Sequence, residues 1–182
     1  MKIKTLYKTN WVSLRRMIDP DNGVDGYDYL HEDRCDGKII AILPYRNIES
    51  DNFPWNNQKE YLLRNEITPC WGMKSSVSAI TGAVEKDDPI DTAIMELAEE
   101  AGYEINRNEL KFLDISRGTK SSDSIYYLYT VDLTDKEKTL DGSGDGSELE
   151  RKANCFWSRT IDDAIDPLVY VMHHRVNKII GR

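Results

Sequence analysis

An α/β domain, a β-sheet covered by helices, is the fold class this sequence predicts. Three features predict it: short apolar β-like runs on both sides of the chain's midpoint, one sharply punctuated amphipathic helix between them, and a second helical stretch near the C-terminus. With 182 residues, 40% of them hydrophobic, the chain can core one domain, taken as 1–182, and is short for two. It contains no internal repeat.

The first strands are expected at Trp11 to Met17, Tyr27 to His31 and Lys38 to Tyr45, where Ile39-Ile40-Ala41-Ile42-Leu43 is a continuous apolar run suited to a central strand. A polar, turn-rich linker from Asn47 to Lys59 separates them from a strand at Glu60 to Glu66. Ser76 to Val84 reads as one strand ending near Thr81-Gly82, and Pro89 to Ala101 as the main helix. Strands at Leu110 to Ser116, Ser124 to Leu133 and Asn154 to Ser158 follow, with a last helix from about Ile161 to Ile180. Between them the segment from about 134 to 152, rich in Asp, Glu, Lys and Gly, is expected to be a mobile, solvated acidic loop.

The formal net charge of −8 offers no basic surplus to displace counterions from a nucleic-acid backbone, so general nucleic-acid binding is not expected. An acidic protein that handles phosphate needs a metal between the two. Cys35, Cys70 and Cys155 are widely spaced and lack a C-x-x-C arrangement, which fits reduced thiols better than zinc or disulfides. With no apolar stretch near ~18 residues and no signal-like N-terminus, a cytoplasmic protein without membrane contact is expected.

The main helix is well marked. Asp88 suits the N-cap, Pro89 the first helical position, Asp91 the first turn and Gly102 the C-terminal stop. Ile90, Ala93, Ile94, Leu97, Ala98 and Ala101 share one face, and Glu96, Glu99 and Glu100 share the opposite one. Like charges at these spacings cost about a few tenths of a kcal/mol per pair, and acids at a helix C-terminus also oppose the macrodipole. A bound hard cation such as Mg²⁺ removes that penalty, and Gly82 at a strand end would bring a backbone carbonyl close to it.

Gly82-x-x-Glu85 followed by Glu96-Leu97-Ala98-Glu99-Glu100-Ala101-Gly102-Tyr103 resembles the Nudix box, and the last eight positions follow its pattern in order. The resemblance implies an α/β/α sandwich with a mixed sheet. It also implies metal ligation by Gly82, Glu96, Glu99 and Glu100, with Mg²⁺ or Mn²⁺ as the ion. Glu85 corresponds to the acidic residue of the leading loop and is expected near substrate. Two positions depart from the pattern: Met95 stands in place of the box arginine, and the loop is one residue shorter, putting Asp87 where a glutamate is usual.

By the same resemblance the reaction is hydrolysis of a pyrophosphate bond in a nucleotide-derived small molecule. ADP-ribose or a related nucleoside-diphosphate sugar leads, because of the long N-terminal portion and of Arg64, which resembles an arginine that holds a phosphate in such relatives. Glu99 is the first choice for the base that assists water, with Glu148 and Glu150 of the acidic loop as distant candidates. Trp71, Tyr127, Tyr129 and Trp157 offer faces for a nucleobase, though aromatics in strands more often serve the core. His173 and His174 diverge by ~100° on a helix and are read as structural or surface residues. Rival readings are a nucleoside triphosphate or dinucleoside polyphosphate pyrophosphatase, and a non-catalytic nucleotide-binding or sensor domain motivated by Met95. Relatives often form homodimers, but no residue here defines an interface.

Overall fold

The structure, a computed structural model, describes residues 1–48, 58–72, 75–85, 88–142 and 148–180, apart from the side chains of Glu150 and Ile180. The described residues form three sheets and two main helices. β1 (Lys2–Lys8), β2 (Val12–Asp19) and β3 (Val24–Glu32) form an antiparallel meander, β1 being exposed along its whole length. β1 escapes the sequence reading because its apolar residues cover no core.

β4 (Lys38–Ile42) lies at the centre of a mixed sheet of order β8-β4-β10-β9, formed with β8 (Ile80–Ala83), β9 (Lys111–Arg117) and β10 (Ile125–Thr130). β10 runs parallel to β4, and the other pairs are antiparallel. The third sheet is antiparallel: β6 (Gln58–Glu66) lies between β5 (Tyr45–Ile48) and β11 (Asn154–Ser158), and β7 (Ser76–Ser78) also pairs with β6.

Two expected strands prove to be two strands each. The run from Lys38 to Tyr45 is interrupted at Leu43-Pro44 and continues as β5 of the third sheet, with Tyr45 still donating to Val131 O at 3.0 Å; Pro44 has no N–H to donate, and its carbonyl accepts from Leu62 at 2.9 Å. The run from Ser76 to Val84 changes sheets at Ala79, whose backbone N–H donates to Asp166 Oδ2 at 3.1 Å. Most of the expected linker, 49–57, lies outside the described residues.

Helix α1 (Pro89–Glu96) lies against β4 and β8, and α2 (Pro167–Ile180) against β9 and β10. Strand alternation supplies a core on each side. Ile40, Ile42 and Leu62 pack with Ala93 and Leu97 of the first helical segment, whereas Ala41, Leu43 and Leu63 pack with Val169, Met172 and Val176 of α2. Burial on both faces explains the unbroken apolar run of β4. The result is the expected α/β/α arrangement with a mixed sheet.

α2 begins at Pro167, later than the expected Ile161, because Asp166 Oδ1 accepts the Leu168 N–H at 2.9 Å and Pro167 fits a first helical position. Ile161 and Ala164, in the preceding loop, are buried. Part of the segment expected to be mobile is docked: Thr139 and Leu140 both donate to the carbonyl of Gly102, at 2.9 and 3.1 Å. Lys136 pairs with Glu109 at 2.7 Å, and this bond, with the Asn106 N–H, holds the Glu109 carboxyl down at about 2. No helix among the described residues is long and apolar enough to cross a membrane, and the three cysteines are free.

Candidate active site

The start of α1 is built as its sequence dictates. Asp88 accepts the Ile90 N–H at 2.9 Å, Pro89 occupies the first turn, and Arg107 pairs with both Asp88 and Asp91. The Arg107 hydrogen bond keeps the Asp88 carboxyl below the usual range, so the cap stays ionised. At the other end the last turn differs from the expected α-helix: Leu97–Ala101 is a π-turn, closed by Gly102 at φ 80° with its N–H on Ala98 O at 3.0 Å. Wider turns of this kind often mark functional sites.

That turn and the last residue of α1 carry the three acids. Leu97 and Ala101 point into the core, Glu99 is exposed, and the Glu100 side chain is only 8% exposed. Glu96 lies over β8: a Cβ added at Gly82 would collide with its carboxylate. Gly82 is therefore required for space, as the floor against which Glu96 rests. Met95, 48% exposed, faces away from the core.

Arg64, expected to hold a substrate phosphate, pairs with two carboxylates in the structure. It is 5% exposed, and its guanidinium pairs with Glu100 and, at 3.2 Å, with Glu66. The fork faces carboxylates instead of open solvent, because alternation on β6 points Leu62, Arg64 and Glu66 to the side where the π-turn packs. Glu85 is exposed and sits 4.0 Å from Arg34 Nε. Glu148 is 80% exposed and pairs with Lys152 at 3.2 Å, a contact within its own turn that does not draw it to the glutamates of the π-turn. The side chain of Glu150, and Asp87, lie outside the described residues.

A cleft of ≈ 300 Å³ is lined by Thr81, Gly82, Ala83, Glu66 and Asp166, and Glu96, Glu99 and Glu100 do not line it. Its rim carries Glu32, Arg34 and the half-exposed Trp71. Of the aromatics singled out in the sequence, Trp71 lines this cleft, Tyr129 is buried in the core, and Trp157 stacks under Arg46 at 4.4 Å. His173 packs edge-on to Tyr61 at 4.7 Å, a structural role as expected. Arg34, Glu66 and Asp166 were missed. Arg64-x-Glu66 on one strand face and Asp166-Pro167 at a helix start were the available signals.

Among the described residues, no three His, Cys, Asp or Glu side chains converge as a ready-made metal-binding group. The donor chemistry nevertheless fits a hard cation. Glu100 Oε2 is buried and accepts no hydrogen bond, and the Glu96 carboxylate lies at Gly82, where Cβ would otherwise be.

No family model matches this chain, and no curated protein matches it by sequence. Among solved structures, the chain is similar over 100% of its length, and over 92% of the other chain, to one described as the crystal structure of an ADP compounds hydrolase, with a TM-score of 0.70 and 14% identity. The similarity extends to the fold, an α/β/α arrangement with a mixed sheet.

Proposed function

We propose that this chain is a metal-dependent hydrolase that cleaves the pyrophosphate bond of a nucleoside diphosphate linked to a second moiety, with ADP-ribose or a related nucleoside-diphosphate sugar as substrate. The observation that carries this reading is the packing of Glu96 against Gly82, a residue that lines the cleft, together with the buried, half-satisfied Glu100 four positions further on. The likeness to an ADP compounds hydrolase supports it at the level of fold.

In this reading Glu96, Glu99, Glu100 and the Gly82 carbonyl hold Mg²⁺ or Mn²⁺, which supplies charge neutralisation on the phosphates and acidifies a water. Glu99, the exposed acid of the turn, accepts the proton of the attacking water. Trp71 provides a stacking face on the cleft rim, and Arg34 a cation. Water adds across the phosphoric anhydride, so ADP-ribose yields AMP and ribose 5-phosphate.

A screen of nucleoside-diphosphate sugars, nucleoside triphosphates and dinucleoside polyphosphates with Mg²⁺ or Mn²⁺, with products identified by mass, tests this. AMP from ADP-ribose is the expected result. Pyrophosphate from a triphosphate would instead favour the nucleotide-pool reading. Thermal stabilisation by nucleotide with no product from any substrate would point to a binding domain.

Gly82→Ala tests the metal geometry separately. The added methyl must push Glu96 aside, and a misplacement near 1 Å can cost about a hundredfold. We expect a turnover loss of about that size with an unchanged circular dichroism spectrum; wild-type turnover would remove Glu96 from the site.

A further inference from the structure

Glu100 is the most deeply buried acid of the π-turn, and only one of its oxygens is satisfied. Oε1 pairs with Arg64 Nη1, while Oε2 is buried without a hydrogen bond. Arg64 is itself held in place. Its Nε is buried and makes no hydrogen bond but lies within ion-pair distance of Glu66 Oε2, at 3.2 Å; Ser78 Oγ donates to Glu66 Oε1 at 2.9 Å, and Ser78 is the register partner of Arg64 on β7. The result is a chain of contacts, Ser78 to Glu66 to Arg64 to Glu100, running from the third sheet to the end of the first helical segment. The helix brings no cation of its own at this face, since Met95 is an exposed, uncharged side chain.

We propose that Arg64 is a positioning residue: from β6 it neutralises and orients Glu100 so that Glu100 Oε2 is presented to a divalent cation. This rests on the metal-dependent reading of the site given above. A buried carboxylate needs a partner to remain charged, and a planar guanidinium held on its other side by Glu66 fixes orientation in a way that a lysine cannot. The same contact relieves repulsion between Glu100 and the neighbouring Glu96 and Glu99. Arg64 then acts through Glu100 and does not touch the nucleotide.

The test is Mn²⁺ binding without nucleotide, followed by electron paramagnetic resonance of the free ion. Arg64→Met should weaken Mn²⁺ binding about tenfold or more, the range for losing a residue that orients a metal ligand. Arg64→Lys, which keeps the charge and loses the fork, should weaken it severalfold with a near-wild-type melting temperature; it decides the matter if the Met variant does not fold. In Arg64→Met/Glu100→Gln, with both charges gone, Mn²⁺ affinity should equal that of Glu100→Gln alone. For hydrolysis, Arg64→Lys should lower kcat and leave KM unchanged.

Unchanged Mn²⁺ affinity in folded Arg64→Lys and Arg64→Met overturns this proposal and leaves the metal-dependent reading standing. Raised KM with unchanged Mn²⁺ affinity also overturns it, returning Arg64 to the substrate phosphate. A wild-type chain that binds no Mn²⁺ overturns both.

Discussion

Glu99→Gln should lower Mg²⁺-dependent hydrolysis by about 10²- to 10⁴-fold, the usual range for a positioned proton acceptor, with the fold unchanged. Glu99 is exposed on the π-turn, so replacing its charge disturbs no packing. Glu100→Gln should give a comparable loss of turnover and, in addition, a loss of stability. Its side chain and that of Arg64 are 8% and 6% exposed, and breaking one side of such a buried pair costs about 3 kcal/mol. Paired measurements of kcat and of urea denaturation separate the two. Near-wild-type activity in either variant with saturating Mg²⁺ would falsify the site assignment.

A loss of stability of similar size is expected for Asp166→Ala. One carboxylate there caps α2 through the Leu168 N–H and satisfies the Ala79 N–H where the chain passes between sheets. Its removal loses a helix cap and leaves a buried amide without a partner, together about 2–4 kcal/mol. For a chain of this size that corresponds to a melting-temperature drop of roughly 5–10 °C. Asp166→Asn retains an acceptor and should cost less. Burial holds the Asp166 carboxyl above the usual range, so the folded state binds this proton more tightly than the unfolded chain. The contribution of this group to stability is thus greatest below the unfolded pKa and is lost as pH rises through the folded one. In Asp166→Asn that pH dependence should disappear; identical pH profiles for wild type and variant would contradict the account.

Much of this architecture was legible in the residues. The Asp88-Pro89 start and Gly102 stop of the acidic helix are local signals, and the structure honours them. The doubly buried β4 was equally clear from its apolar run. Strand division was not legible: Leu43 and Ala79 are fully buried apolar residues, and nothing in hydrophobic patterning tells which sheet a neighbour belongs to. The location of Arg64 escaped for a related reason. An arginine on this strand reads as a phosphate ligand until the carboxylate opposite it, 36 positions along the chain, is known.

The passage of the chain between sheets at Ala79 has a mechanical consequence. Ser78 stands beside Arg64 in one sheet, and Gly82 stands beside Ile40 in the next, so these two cleft-lining residues belong to one continuous segment that crosses between sheets. Their separation is fixed by covalent continuity as well as by packing. Arg34 and Trp71, which also line the cleft, sit outside the strands, in a turn and a short 3-10 helix, and are free of that constraint.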